Sequence, residues 1–394
     1  MFENITHLPD DPILKLSQLY KEDTRALKVD VGVGIFQNEQ GETPVLRAVK
    51  AAEKHLLETE ESKKYVGLMG NGVFNQVMVD LVLGQAVEKS RVRAIQATAG
   101  TGAVRLIAEV LHHLTPTKRL HVSNPTWGNH KAIFAAAGFK AEDYPYYDNE
   151  KSVVNREGFF KALEGFGKDD LVLLHGCCHN PSGADLSPAD WDRVAEIAAR
   201  KGWLPLVDLA YLGFGESLEA DAYGVRKLAE SVEHLLIAVS GSKNFGLYRE
   251  RVGSVIMLAK DEKTVSALQS HFGAVSRAMV SMPPSHGASI VATILTNPSL
   301  RADWEQELQE MCGYIHLRRQ QLQSALTQKA GGDWSFITDV HRGMFTLLNL
   351  GTERVNRLRE EFAIYMVGTG RINIAGMKSE HDVNYLAESV AKVL

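Results

Sequence analysis

The chain is short of the residues and patterns that mark several large classes of protein. It has three cysteines in 394 residues, two of them adjacent (Cys177 and Cys178), too few for a disulfide framework. No run approaches the roughly 18 uninterrupted apolar residues that a membrane helix needs. The start, Met1-Phe2-Glu3-Asn4-Ile5, has neither the basic nor the apolar region of a secretory signal. No lysine/arginine-rich tract is present, and a formal charge of −5 argues against nucleic acid as a partner. Repeats, low-complexity tracts and flexible linkers are missing too. What is there is 45% hydrophobic and 23% charged, an ordinary globular balance, and long enough for a large domain plus a smaller one. The expectation is a cytoplasmic protein with no membrane and no nucleic-acid partner.

The middle of the chain alternates short apolar runs with amphipathic stretches. Leu120-His121-Val122, Leu171 to Leu174, Leu204 to Val207, Leu235 to Val239 and Ser254 to Leu258 read as strands. Pro188 to Lys201 has helical spacing (Trp191, Val194, Ala195, Ala198), with acidic residues near its start and basic ones near its end, as the helix dipole favours. Strand–helix alternation predicts an α/β fold, a mostly parallel sheet covered on both faces, with ligands outside the strands' carboxyl ends. From about residue 300 the pattern changes. Helical stretches from Asp303 to Leu326 and Glu353 to Phe362 flank strand candidates at Phe345 to Leu348 and Arg371 to Ile374. The expected division is a large domain over 41–300 and a smaller α+β domain made of 1–40 and 301–394.

Lys243 lies in Ser240-Gly241-Ser242-Lys243-Asn244-Phe245-Gly246, just after one of the apolar runs, with Arg251 eight positions on. A lysine at a strand end is placed to form an imine with pyridoxal 5'-phosphate (PLP), and the hydroxyls and arginine suit that cofactor's phosphate. Most lysines are solvated surface residues, so the weight comes from their surroundings. Asp208-Leu209-Ala210-Tyr211 ends another apolar stretch, with Asp208 35 positions before the lysine. Gly100-Thr101-Gly102 opens a helix whose first amides favour a phosphate. With Arg105 in the third glycine position it is not a dinucleotide fingerprint, and standing alone it reads as a tight turn. Trp127 follows a strand; packing is the usual fate of tryptophan, stacking on a pyridine ring its use beside PLP.

His175-Gly176-Cys177-Cys178-His179-Asn180-Pro181 has the residue types of a metal cluster. No C-x-x-C or H-x-x-x-H frame appears, and adjacent cysteines on an extended chain point to opposite faces, so no metal site is expected. Asn180 is the more useful residue, its amide suited to the cofactor's phenolic oxygen, before Pro181 where a cis bond is allowed. Arg371 opens an apolar strand pattern, a costly place for a guanidinium that does not grip a carboxylate. Arg277 and Tyr65 lie in stretches that read as solvated surface.

Asn124-Pro125-Thr126-Trp127, the His175 to Pro181 run, Asp208 to Tyr211, Ser240 to Gly253, Pro283-Pro284-Ser285-His286-Gly287-Ala288 and Gly370-Arg371-Ile372-Asn373-Ile374-Ala375-Gly376 occur in order. In these motifs the chain resembles, over nearly its whole length, the class I PLP-dependent aminotransferases of the aspartate and aromatic-amino-acid subgroup. The resemblance implies the fold type I architecture, with a mostly parallel seven-stranded sheet in the large domain, and a homodimer with shared active sites. It implies that Lys243 holds PLP and moves the substrate proton, that Asp208 pairs with the pyridine nitrogen, and that His130 supports Asp208. Tyr211 and Asn180 would bond the phenolic oxygen, and Trp127 would stack on the ring and border the substrate. Gly100, Thr101, Ser240, Ser242 and Arg251 would hold the phosphate, with Tyr65 from the partner. Arg371 would take the substrate α-carboxylate, aided by Gly34 and Asn180, and Arg277 from the partner a second carboxylate.

Three positions depart from the aspartate-enzyme pattern: Leu212 follows Tyr211 where glutamine is usual, Val280 stands where a tyrosine is common, and Met282 replaces an asparagine. Apolar replacements near a distal pocket admit a ring, and Phe362 to Gly368 is similar to the bacterial aromatic branch. The favoured reading is an aromatic-amino-acid aminotransferase that also accepts aspartate and glutamate, with 2-oxoglutarate as acceptor. The alternative is an aspartate aminotransferase with little aromatic activity. A PLP lyase or decarboxylase fits two carboxylate-binding arginines less well, and a nicotinamide oxidoreductase lacks its glycine fingerprint.

Overall fold

The computed structural model describes residues 2–8 and 11–394. Seven strands form the central sheet, in the spatial order Val92–Thr98, Val252–Leu258, Leu235–Ser240, Leu204–Leu209, Asp170–His175, Arg119–Asn124, Ala141–Pro145. All run parallel except Val252–Leu258, which is antiparallel to both neighbours. Each expected strand is present. Val92–Thr98 and Ala141–Pro145 were not anticipated, because Arg93 and Gln96 interrupt the first and the second is an edge strand with exposed Glu142 and Asp143.

Period-two alternation divides the apolar side chains between two cores. Leu171, Leu173, Leu206, Leu236 and Ala238 face one side, where the helices Ala99–Leu114 and Glu262–Val280 pack. Val172, Leu174, Val207, Ile237 and Val239 face the other, under Pro188–Lys201 and Leu218–Ser231. Pro188–Lys201 has the expected bounds. Ser187 and Asp190 form a capping box at its start, Pro188 occupies the first turn, and Gly202 closes it at φ 76°.

The last third is built on the helix Pro298–Ala330, longer at both ends than expected because Asn297 caps it ahead of Pro298 and it runs on to Gly331, which ends it at φ 68°. It packs on Arg47–Thr59 and Glu380–Val393. Phe345–Leu347 pairs antiparallel with Arg371–Asn373. The N-terminal segment joins this part of the molecule: Val29–Asp30 pairs with Ile364–Tyr365, and Asn373 Nδ2 donates to the Val33 and Ile35 carbonyls at 2.7 Å each. Among the described residues no helix is long and apolar enough to cross a membrane.

Candidate active site

The carboxyl ends of the parallel strands converge on a cavity of about 190 Å³. Leu204–Leu209 delivers Asp208, Leu235–Ser240 delivers Ser240 and, three residues later, Lys243. Ala99–Leu114 points its N-terminus into the same space. Gly100 lets the chain pass close to Ser240: a Cβ on it would stand 3.0 Å from Ser240 Cβ. Thr98, the N-cap of that helix, gives no side-chain hydrogen bond, and the Ala99 amide donates to the Arg251 carbonyl at 3.0 Å, which leaves the Gly100 and Thr101 amides to a ligand. Ser240, Ser242 and Arg251 surround them. Arg251 holds a left-handed φ of 54° and donates to the Tyr248 carbonyl at 2.7 Å; among the described residues it forms no ion pair. Uncapped amides, hydroxyls and an unpaired guanidinium fit a phosphate dianion.

Asp208 is buried beside His130, whose Nε2 donates to Oδ2 at 3.0 Å. His130 Nδ1 accepts the Thr126 hydroxyl at 2.8 Å, and Thr126 Oγ1 accepts from His175 Nε2 at 3.0 Å, the arrangement that gives each donor an acceptor. Burial by itself would raise the Asp208 pKa, but the His130 hydrogen bond and charge, with His175 and Lys243, outweigh it and hold the carboxyl below its ordinary range. Burial, and then the charge of His130, push His175 down to about 3. Burial likewise lowers Lys243, Arg251 pushing in the same direction and Asp208 opposing. An anion fixed beneath the cavity and an amine poised to lose its proton thus share one enclosed space. Lys243 Nζ lies 4.9 Å over the Tyr211 ring.

Asn180 reaches two ways, its Nδ2 donating to Tyr211 Oη at 3.5 Å and its Oδ1 accepting from Arg371 Nη1 at 3.4 Å. Arg371 is buried behind Asn180 without lining the cavity, its Nη2 donating to the Gly32 carbonyl at 2.7 Å and its Nε left without a partner. Its guanidinium lies 4.5 Å over the Phe345 ring. That ring also meets Tyr211 edge-on and leaves only 2.8 Å for a Cβ on Gly34.

Of the sequence candidates, the cavity brings together Gly34, Gly100, Thr101, Trp127, Asn180, Asp208, Tyr211, Ser240, Ser242, Lys243 and Arg251. Tyr65, 89% exposed, and Arg277, on the exposed last turn of Glu262–Val280, do not reach it within one chain. Nor do the three positions that depart from the aspartate-enzyme pattern: Leu212 is buried in the main core, and Val280 and Met282 are not among the residues that line the cavity. His175, Cys177 and Tyr248 line the cavity and were not singled out, although all three stand inside quoted motifs. The expectation that Cys177 and Cys178 point to opposite faces is overturned. Cys178 adopts φ 52°, which breaks the extended geometry and brings the two thiols to one side.

A family model for aminotransferase class I and II matches residues 27–390. The chain belongs to that family. An aspartate aminotransferase of Salmonella typhi is 46% identical over the whole of both chains. A solved aromatic amino acid aminotransferase with 3-indolebutyric acid shares 43% identity and a TM-score of 0.96, again over the whole of both chains. An aromatic-amino-acid aminotransferase from Burkholderia pseudomallei, covalently bound to pyridoxal phosphate, is 40% identical with a TM-score of 0.96, covering 100% of this chain and 99% of that one. As an aminotransferase of this family, the chain has the seven-stranded, mostly parallel sheet that the resemblance implied.

Proposed function

We propose that this aminotransferase uses PLP to transfer the amino group of aromatic amino acids, and of aspartate and glutamate, to 2-oxoglutarate. The observation that carries the reading is the enclosed juxtaposition of Lys243, the Asp208–His130 pair and the uncapped Ala99–Leu114 helix, with the carboxylate-free Arg371 behind Asn180. PLP, when bound, supplies an aldehyde for the amino group and a ring that withdraws electrons from the substrate's α-carbon.

The protein's residues do the rest. The helix amides at Gly100 and Thr101, with Ser240, Ser242 and Arg251, take the phosphate. Asp208, anionic and braced by His130, keeps a proton on the pyridine nitrogen. Trp127 covers the ring, and Asn180 and Tyr211 hold its phenolic oxygen. Lys243 would hold the aldehyde, and its Nζ, whose pKa burial lowers, would take the α-proton and return it. Arg371 fixes the α-carboxylate through its free Nε and a second Nη proton, so that the α-hydrogen faces Lys243.

In this reading 1–40 and 301–394 form the smaller domain and 41–300 the larger. Two copies associate so that Tyr65 and Arg277 of each serve the other's cavity; their exposure in one chain supports this. Dicarboxylates use Arg277, and aromatic side chains use the same space. Steady-state rates with phenylalanine, tyrosine, aspartate and glutamate as separate donors to 2-oxoglutarate test the assignment. Turnover of both classes is expected, and turnover of the dicarboxylates alone would replace it with an aspartate aminotransferase.

A further inference from the structure

All three cysteines gather around one loop, Gly213 to Glu216. Cys312 Sγ lies 3.8 Å from the Glu216 carbonyl, and Cys178 Sγ 3.9 Å from the Tyr211 carbonyl just before the loop. Asp221 holds the loop itself, its Oδ2 accepting from the Gly213 and Gly215 amides at 2.8 Å each and its Oδ1 from Glu216 at 3.0 Å. The left-handed φ of Cys178 turns its thiol to the side of Cys177. Gly343 makes room for that turn, since a Cβ there would stand 2.4 Å from Cys178 Cβ.

As a result the Cys177 and Cys178 sulfurs and an Asp221 carboxylate oxygen, all buried, lie within 4.8 Å of one another. The ligands of a tetrahedral zinc, about 2.0–2.3 Å from the ion, stand roughly 3.3–3.8 Å apart. At most about 1.5 Å therefore remains to close, shared among three side chains. Two sulfurs and one carboxylate select a soft divalent ion. Cys177 and Asp221 also line a cavity of about 600 Å³ on the far side of the active-site wall, an entry path and room for a water in the fourth position. Cys177 lines the active-site cavity too.

We propose that Cys177, Cys178 and Asp221 form an inhibitory site for one thiophilic divalent cation, of the zinc or cadmium kind. Binding exchanges two S–H protons, released to solvent, for two sulfur–metal bonds. Drawing the three ligands together pulls Asp221 against the amides of the 213–216 loop and shifts the wall carried by Cys177.

Cadmium chloride titrated into the PLP-loaded enzyme at pH 8 tests the site, in a reducing, chelator-free buffer. Three readings are expected: one saturable equivalent per chain with an ultraviolet sulfur-to-cadmium band, about two protons released per ion, and a parallel fall in transamination rate that a chelator reverses. Cys177→Ser and Cys178→Ser each cut the band to about half, one thiolate bond in place of two, and relieve the inhibition, while Cys312→Ser behaves as the parent. No saturable band, an unchanged band in both serine variants at the pair, or uptake with no loss of rate would overturn the proposal. If the serine variants do not fold, release of fewer than about one proton per ion in the parent overturns it as well.

Discussion

Arg371 offers a prediction whose size follows from its hydrogen bonds. A guanidinium carries five N–H groups. One on Nη2 is spent on the Gly32 carbonyl, one on Nη1 makes a long contact with Asn180, and Nε is free. Enough remains for a two-pronged grip on a carboxylate. Charge-assisted hydrogen bonds contribute about 1.5–3 kcal/mol each, so the pair amounts to about 3–6 kcal/mol. Arg371→Ala is therefore expected to lower kcat/KM by roughly 10²- to 10⁴-fold for every amino donor, aromatic or acidic, because the α-carboxylate is common to all. Arg371→Lys keeps the charge but loses the fork, and one hydrogen bond fewer corresponds to roughly a 10- to 100-fold loss. Steady-state kinetics with phenylalanine and aspartate, alongside the bound PLP content, give the readout. Alanine and lysine variants within about threefold of the parent, with full PLP content, would refute the role.

Lys243→Ala should lower turnover by about 10⁴-fold, the upper range for one positioned proton-transfer group; substantial remaining activity removes Lys243 from the chemistry. Trp304 stacks on Phe245 at 4.5 Å and donates to the Asn244 carbonyl at 2.7 Å, bracing the loop that carries Lys243. Trp304→Ala is expected to cost about 3–5 kcal/mol in urea unfolding, and a cost under about 1 kcal/mol would contradict that packing account. His175 and His341 are held neutral by burial, each lowered from 6.5 to about 3, and burial takes His179 below 6.5 too. Between those values the folded chain binds fewer protons than the unfolded one, so stability falls as pH drops below about 6.5, by up to about 1.4 kcal/mol per pH unit for each histidine. Burial also lowers His234, which adds to the fall, while Asp221, raised to about 7, and Asp185 and Asp30, raised by burial, bind protons earlier when folded and offset part of it. The urea midpoint should fall between pH 7 and pH 5, and fall less in His341→Gln; an unchanged midpoint contradicts the reading.

Most of the sheet and much of the cavity lining could be read directly because their signals are local. A fully buried strand such as Leu235–Ser240 is a continuous apolar run, and Lys243 and Asp208 stand out against such runs as charges that burial does not favour. The helix Pro188–Lys201 carries its start and stop signals in adjacent residues. Edge strands and the helix Pro298–Ala330 were less legible, since exposed Glu142 and Asp143 or a polar face mask the period. The site's supports depend on long-range geometry. Thr126 matters because it joins His130 to His175, 49 positions away from it. Phe345 matters because its ring lies between Gly34, Tyr211 and Arg371. The φ of Cys178 has no residue signature at all, which is why adjacent cysteines read as divergent.

The central claim is that the buried amine of Lys243 is where PLP is held. Loading the protein with PLP, reducing with borohydride and mapping the peptides by mass spectrometry tests it. The account predicts a single pyridoxyl addition, on Lys243, abolished when phenylalanine or aspartate is added before the borohydride. Label spread over surface lysines, or a labelled Lys243 indifferent to both amino acids, would contradict it.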